Sequence, residues 1–72
     1  MNAPECVELS NREFQVMQLI AQGLSNQEIA KKLTVSNHTV KSYIGRIKVK
    51  TEARNRVQIA LWYFAHVEKR IG

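Results

Sequence analysis

The sequence is poor in the residues on which many kinds of functional site depend. Its 72 residues include one cysteine, one proline and three glycines, and no aspartate at all. The single thiol, Cys6, excludes an internal disulfide and a thiolate-rich metal site, which suits a reducing compartment. The two histidines, His38 and His66, lie far apart in the sequence, and aspartyl phosphorylation has no acceptor. We therefore predict that the chain is not an enzyme and holds neither a metal nor a cofactor.

Long hydrophobic segments are also missing. The longest apolar run extends from Ile59 to Ala65, whereas a helix needs about 20 apolar residues to cross a bilayer. The N-terminal residues include Pro4 and Glu5 and lack the basic start and apolar segment of a signal peptide. These absences predict a cytoplasmic protein without a membrane partner.

The chain has an excess of positive charge that is concentrated in one region. Its formal net charge is +5 and its isoelectric point is about 9.8. Between Lys31 and Arg56 lysine and arginine are frequent and Glu52 is the only acid. High solubility alone would explain a basic protein, but this asymmetry also predicts a surface that faces a polyanion.

A short pattern that is typical of helix starts occurs three times, at residues 9–14, 24–29 and 35–40. Each copy has a serine followed by asparagine, with an apolar residue on either side, as in an N-cap with a hydrophobic staple. The first two copies place Glu13 and Glu28 where a carboxylate completes a capping box, and the third has Thr39 there. We interpret the missing acid as room for a phosphate, with chance substitution as the alternative.

The region from Ser25 to Lys50 has the pattern of a helix-turn-helix. Apolar residues recur at helical spacing in two series, which predicts one helix over residues 26–33 and another over residues 37–50. The intervening residues, 34–36, are too few for anything but a tight corner. The first series is Ile29, Ala30 and Leu33, and the second is Val40, Ile44 and Ile47.

The second of these helices has a polar face opposite its apolar one. At about 100° per residue, His38, Lys41, Ser42 and Gly45 lie opposite Val40. A solvated face would explain such a stripe without any ligand. A glycine inside a helix costs about 1 kcal/mol relative to alanine, so Gly45 indicates either a close approach of a partner to the backbone or tolerated weakness.

Two further helices are expected, one on each side of this pair. The first begins at the cap Ser10 and stops at Gly23, and the last extends from the cap Asn55 to Arg70. Ile59, Ala60, Tyr63 and Val67 form a face of the last helix that suits packing on the first. A neighbouring stripe predicts a homodimer surface, with wide burial in the monomer as the alternative; it comprises Val57, Leu61, Phe64 and Ala65.

Several of these segments together resemble the LuxR/NarL/FixJ-type DNA-binding domain of bacterial transcription regulators. The resemblance rests on Leu9 to Glu13, Val16 to Ala30, Leu33 to Ser36, Thr39 to Lys41, and the single residues Ile47, Lys50 and Arg56. It implies an all-α, four-helix domain over residues 9–72 that reads the major groove with its third helix and pairs through its fourth. Residues 1–8 are expected to form a flexible arm. The chain departs from the family at residues 51–53, where Thr-Glu-Ala replaces the usual Leu-Gly-Val.

The expected function is therefore sequence-specific binding of double-stranded DNA by a transcriptional regulator. A third helix in the groove would read bases with His38, Lys41, Ser42 and Gly45. Phosphates would be bound by a flanking set, which comprises Ser25, Asn26, Ser36, Asn37, Thr39, Tyr43, Arg46 and Lys50. RNA polymerase and another regulator are further candidate partners. The alternative is a protein-binding antagonist of another regulator that acts through its last helix, although it would have no need of the basic stripe.

Overall fold

Helices make up nearly all of the chain between residues 8 and 68, the part that the computed structural model describes. Four α-helices follow one another: α1 (Asn11–Ala21), α2 (Asn26–Leu33), α3 (Asn37–Thr51) and α4 (Arg56–Tyr63). A π-helical turn, Phe64–Glu68, continues α4. Residues 8–68 contain no β-strand, and the predicted all-α fold with a helix-turn-helix is confirmed. The expected arm at residues 1–8 lies, apart from Glu8, outside the described residues, and its flexibility stays a prediction.

Each of the first three helices starts at the serine that the repeated pattern predicts. In α1 the Ser10 hydroxyl accepts the Glu13 N–H at 3.1 Å, and a Glu13 carboxylate oxygen accepts the Ser10 N–H at 3.0 Å. Ser25 and Glu28 form the same reciprocal pair at the start of α2. Each capping box satisfies two backbone donors that the helix itself leaves free.

The first three helices end in a residue with left-handed backbone geometry. Gly23 follows α1 with φ +92°, and Thr34 and Glu52 follow α2 and α3 with φ 59° and 63°. Behind Gly23 the Leu24 N–H donates to the carbonyl of Leu19 at 3.1 Å, as in a Schellman cap. Glu52 therefore adopts the conformation that glycine favours, at the place where the domains that the sequence resembles usually have glycine.

The core lies between α1 and the other three helices. It is formed by aliphatic side chains with Tyr63 and Met17, and α1 packs against both α3 and α4 while α2 packs against α3. Each fully buried aliphatic side chain contributes about 1.5–3 kcal/mol. The core residues are Val16, Met17, Leu19, Ile20, Ile29, Ala30, Val40, Ile44, Ile47, Ile59 and Tyr63.

The last helix differs from the prediction of one regular helix to Arg70. The α-helix ends at Tyr63, and the chain continues to Glu68 in the wider π geometry. The ring nitrogen Nδ1 of His66 lies 3.0 Å from the Trp62 carbonyl oxygen, the acceptor that an α-helix would offer to the His66 N–H. A side chain thus occupies a position of the backbone ladder, which gives a physical reason for the change in register. The rest of the predicted helix lies outside the described residues.

Candidate nucleic-acid interface

Helix α3 separates the core from an exposed polar face. Its inward residues Val40, Ile44 and Ile47 are buried, which fixes the rotation of the helix about its axis. The predicted base-reading residues lie on the opposite side, and all of them are exposed: His38, Lys41, Ser42 and Gly45. The fold therefore brings these four residues together on one accessible surface. Their contact with bases stays a prediction.

The exposed face of α3 contains one residue that the sequence analysis did not single out. Val49 is 79% exposed and lies one turn after Gly45 and two turns after Ser42. The same count of 100° per residue that selected the other members reaches Val49, directly opposite Val40. An extension of the helical wheel by one turn would have found it.

Gly45 creates a depression in the middle of this face. Apart from its two chain neighbours and the nearby backbone of α3, a Cβ atom built at Gly45 would meet nothing in residues 8–68 within 4 Å. Contacts among the described residues therefore do not require a glycine at this position. A shallow groove results, and it is lined by Ser42, Gly45, Arg46, Val49 and Lys50.

A second groove lies on the other side of Gly45, where α3 meets the start of α2 and the start of α4. The Arg56 guanidinium donates to the side-chain oxygen of Asn26 at 2.6 Å and to the backbone carbonyl of Leu24. Because Arg56 occupies the amide oxygen of Asn26, the amide nitrogen is left to donate elsewhere. Three cationic side chains line this groove, which comprises Asn26, Lys41, Ile44, Gly45, Lys48 and Arg56.

Sequence reasoning missed the position of Arg56 and Lys48 at this site. Both residues lie in the basic region between Lys31 and Arg56, but the helical pattern predicts no role for either. Arg56 and Asn26 are 30 positions apart, so only the folded chain brings them into contact.

The start of α3 is the only one of the first three helix starts without a carboxylate in its first turn. The Ser36 hydroxyl accepts the Thr39 N–H at 3.0 Å, and the two hydroxyl oxygens also lie 3.0 Å apart. Asn37 is exposed beside them. The positive end of the helix dipole therefore has no neighbouring acid within its own first turn.

Two of the predicted phosphate-binding residues contact each other on the flank of α3. The guanidinium carbon of Arg46 lies 5.7 Å from the centroid of the Tyr43 ring. Tyr43 itself packs partly against the core. The aromatic ring therefore supports the cation beside the exposed face.

Lys50 has partners within the domain that the sequence analysis did not anticipate. Its ammonium group lies 2.7 Å from a carboxylate oxygen of Glu13 and 2.9 Å from the carbonyl oxygen of Glu8. Burial of Glu13, which is 2% exposed, would by itself raise the pKa of its carboxyl group. The hydrogen bonds from Lys50 and the Ser10 N–H, with the charges of Lys50 and Arg46, more than offset burial, so the pKa is lowered. The phosphate role of Lys50 stays a prediction, but part of its charge is compensated.

Helix α4 and the π-helical turn carry an apolar stripe that the other described residues leave exposed. Val57 is 66% exposed, Leu61 60% and Phe64 46%, and Ala65 is also exposed. On the opposite side Ile59 and Tyr63 are buried against the core. The expected exposed stripe is therefore present, while dimerisation through it stays a prediction.

Within residues 8–68 no helix has the length and apolar character that a membrane crossing requires. The same residues contain no group of three or more histidine, cysteine, aspartate or glutamate side chains that could hold a metal ion.

Comparison with known proteins agrees with this arrangement. The GerE family model, described as bacterial regulatory proteins of the luxR family, matches residues 7–63. The transcription regulator of virulence factors BvgA from Bordetella pertussis is 47% identical over 51 residues, which cover 71% of this chain and 24% of BvgA. The response regulator VraR from Staphylococcus aureus is 40% identical over 58 residues, 81% of this chain and 28% of VraR. This chain thus spans about a quarter of each relative, and it belongs to the luxR family of bacterial regulatory proteins.

Proposed function

We propose that this domain binds double-stranded DNA sequence-specifically, with α3 in the major groove, and that it regulates transcription in the cytoplasm. The observation that carries the proposal is the division of α3 into a buried apolar side and an exposed side with Lys41 at its edge. A major groove is wide enough to admit such a helix. Relatives named as a transcription regulator and a response regulator support the same function.

In this arrangement the N-terminal half of α3 reads the bases. The ammonium group of Lys41 donates to O6 and N7 of a guanine, the acceptors that this base presents in the major groove. His38 and Ser42 reach neighbouring base edges. Gly45 lets the helix approach closely, since no side chain stands between its backbone and the DNA.

Phosphates on the two sides of the groove hold α3 in register. On one side Ser36, Asn37 and Thr39 present the acid-free start of α3, and on the other Asn26 is oriented by Arg56. These contacts position the helix without reading sequence. The remaining members of the proposed set are Ser25, Tyr43, Arg46 and Lys50, to which the groove beside Gly45 adds Lys48 and Arg56.

Two copies of the domain are proposed to pair through the exposed stripe of α4. Removal of Val57, Leu61 and Phe64 from water would favour association. Twofold symmetry would then place two copies of α3 on half-sites about one DNA turn apart. RNA polymerase or another regulator would be a further partner of the DNA-bound dimer.

Lys41→Ala tests the reading role directly. Oligonucleotides selected from a random pool by the unaltered domain provide the binding site, and fluorescence anisotropy then measures affinity for each single base-pair change. We expect a loss of about 1–3 kcal/mol with relaxed preference at one base pair. Equal weakening on all sequences would make Lys41 a phosphate contact instead.

Salt dependence tests the phosphate contacts. The logarithm of the binding constant should fall with the logarithm of salt concentration, with a slope of roughly −0.9 for each phosphate neutralised. Arg46→Ala should reduce the slope by about one contact and leave base preferences unchanged. Affinity that does not change with salt would contradict the proposal.

A protein-binding antagonist is the second candidate, because the exposed stripe of α4 would also suit binding of another regulator. Lys41→Glu and Leu61→Lys separate the two functions. For a DNA-binding regulator Lys41→Glu abolishes promoter binding. For an antagonist Lys41→Glu has no effect on capture of its target, and Leu61→Lys abolishes it.

A further inference from the structure

The exposed valine of α3 is chemically unlike the rest of the face on which it lies. His38, Lys41 and Ser42 are polar, whereas Val49 exposes most of its side chain without a polar atom. Valine also has a lower helix propensity than lysine or glutamine, because its branched Cβ restricts χ1. A single exposed aliphatic residue is common on protein surfaces. Its position in relation to Gly45 is what distinguishes this one.

The depression over Gly45 gives Val49 an accessible side wall. Both residues line the same groove, and apart from the two residues that flank Gly45 and the nearby backbone of α3, no atom of the described chain lies within 4 Å of the Gly45 Cβ position. Arg46 and Lys50 also line this groove. The groove therefore offers a small apolar surface next to cations, and an apolar group on an anionic ligand would complement it.

We infer that Val49 is a specificity-determining residue that contacts the C5-methyl group of a pyrimidine in the major groove. In duplex DNA that methyl group belongs to thymine or to 5-methylcytosine, and apolar side chains recognise it by contact. The inference rests on the proposed function and adds a second, apolar element to the reading by Lys41. The depression over Gly45 lets the edge of the base approach the helix closely enough to contact the methyl groups of Val49.

The distance between the two reading residues predicts where this contact falls. Lys41 and Val49 are separated by about 12 Å along the helix axis. Base pairs follow one another at about 3.4 Å along the duplex. The methyl-bearing base pair should therefore lie within about four base pairs of the pair that Lys41 reads.

Removal and return of the methyl group test the inference. Each thymine of the selected site is replaced in turn by uracil, which lacks only the C5-methyl, and binding is measured by fluorescence anisotropy. We expect one thymine at which uracil weakens binding by about three- to fivefold, the size expected for burial of one methyl group. In Val49→Ala this penalty disappears, and in Val49→Ile it remains.

Two further duplexes distinguish the sources of the methyl group. At the sensitive position a cytosine–guanine pair should bind weakly, and 5-methylcytosine–guanine should recover part of the loss in the unaltered domain only. If thymine binds well and 5-methylcytosine gives no recovery, contact with the methyl group is not what Val49 contributes, and the inference is wrong. Thermal unfolding followed by circular dichroism checks that both variants fold, as the exposure of Val49 leads us to expect.

The remaining outcomes separate the inference from the function on which it rests. A uracil penalty of equal size in the unaltered domain and in Val49→Ala would overturn the role of Val49 and leave DNA binding intact. Normal DNA binding by Val49→Ala with lost transcriptional activity would also overturn it, in favour of a protein contact. No preference of the unaltered domain for any selected duplex over random DNA would overturn both.

Discussion

Helices α1 and α3 begin with the same two residues, serine and asparagine, and differ in how their starts are closed. At the start of α1, Glu13 completes a capping box and is buried beside the ammonium group of Lys50. At the start of α3, Thr39 takes the place of the acid and the first turn is mostly exposed. The first start is built into the domain, while the second has its dipole directed to the solvent. The contrast indicates which helix end supports the fold and which one is available to a ligand.

The two starts are also connected through α3 itself. Lys50 lies near the end of this helix and contacts Glu13, while His38 and Lys41 lie near its beginning and point away from the domain. The C-terminal end of α3 is thus held to α1 by an ion pair in which Glu13 is buried and Lys50 is partly exposed, while the N-terminal end stays accessible. The half of α3 that contacts α1 fixes the orientation of the half that is proposed to read bases.

The largest effect should come from removing the cation that pairs with Glu13 at the N-terminus of α1. Lys50→Met leaves the Glu13 carboxylate buried without its cation, and we expect the free energy of unfolding to fall by about 2 kcal/mol. Partial exposure of Lys50 keeps the loss from being larger. Urea denaturation followed by circular dichroism measures the change. The double variant Glu13→Gln/Lys50→Met leaves no charge unpaired and should recover most of the loss. If Lys50→Met is as stable as the unaltered domain, the ion pair does not stabilise the fold.

A carboxylate in the first turn of α3 should have the next largest effect, which is on DNA affinity and not on stability. Thr39→Glu completes a third capping box but places a carboxylate where a phosphate is proposed to bind. We expect DNA affinity to fall about tenfold, or about 1.4 kcal/mol, with stability unchanged or raised by a few tenths of a kcal/mol. Fluorescence anisotropy and urea denaturation measure the two quantities.

Thr39→Gln is the matched control for that experiment. Glutamine can close a capping box without adding charge. Its affinity should therefore lie between those of Thr39→Glu and the unaltered domain. If glutamate and glutamine weaken binding equally, repulsion of a phosphate is not the cause. The absence of a carboxylate at position 39 would then not be explained by phosphate binding.

The buried carboxylate of Glu13 should make the free energy of unfolding depend on pH in the acid range. The pKa of Glu13 is lowered in the folded domain, so the unfolded chain takes up this proton first as the pH falls. The stability that Glu13 contributes is fully present above its unfolded pKa, about 4.3, and is lost as the pH drops through the folded pKa. Glu13→Gln should therefore lose less stability than the unaltered domain between pH 6 and pH 3, measured by urea denaturation at each pH. Parallel loss in both proteins would mean that other carboxyl groups govern acid unfolding.

The comparison also separates what sequence could predict from what it could not. Capping boxes join residues three positions apart, so Ser10 with Glu13 and Ser25 with Glu28 could be identified from spacing alone. The ion pair of Lys50 with Glu13 joins residues 37 positions apart and depends on how α1 crosses α3. The amphipathic pattern fixes which side of each helix is buried, but it does not fix where one helix meets another.

Some features of the candidate site could likewise be predicted from the sequence, and others could not. The exposure of His38, Lys41, Ser42 and Gly45 followed from helical periodicity, because burial of the apolar side determines the other side. The groove that joins Lys41 to Arg56 did not follow, since it requires the start of α4 to lie beside the start of α2. The π-helical turn did not follow either: its side-chain contact joins His66 to the carbonyl of Trp62, only four positions away, but hydrophobic periodicity does not indicate such a contact.

The ends of α1 and α3 extend the comparison and give the smallest expected effect. Both end in left-handed geometry, α1 with Gly23 and α3 with Glu52. A side chain makes this conformation unfavourable for Glu52, whereas glycine adopts it readily. Glu52→Gly should therefore raise the free energy of unfolding by about 0.5 kcal/mol, the strain relieved being partly offset by the greater freedom of glycine in the unfolded chain. Glu52→Gln serves as the control, because it removes the charge near the negative end of the α3 dipole and keeps the side chain. If urea denaturation finds glycine no more stabilising than glutamine, backbone geometry at this helix end costs the domain nothing, and the departure from the usual glycine is neutral.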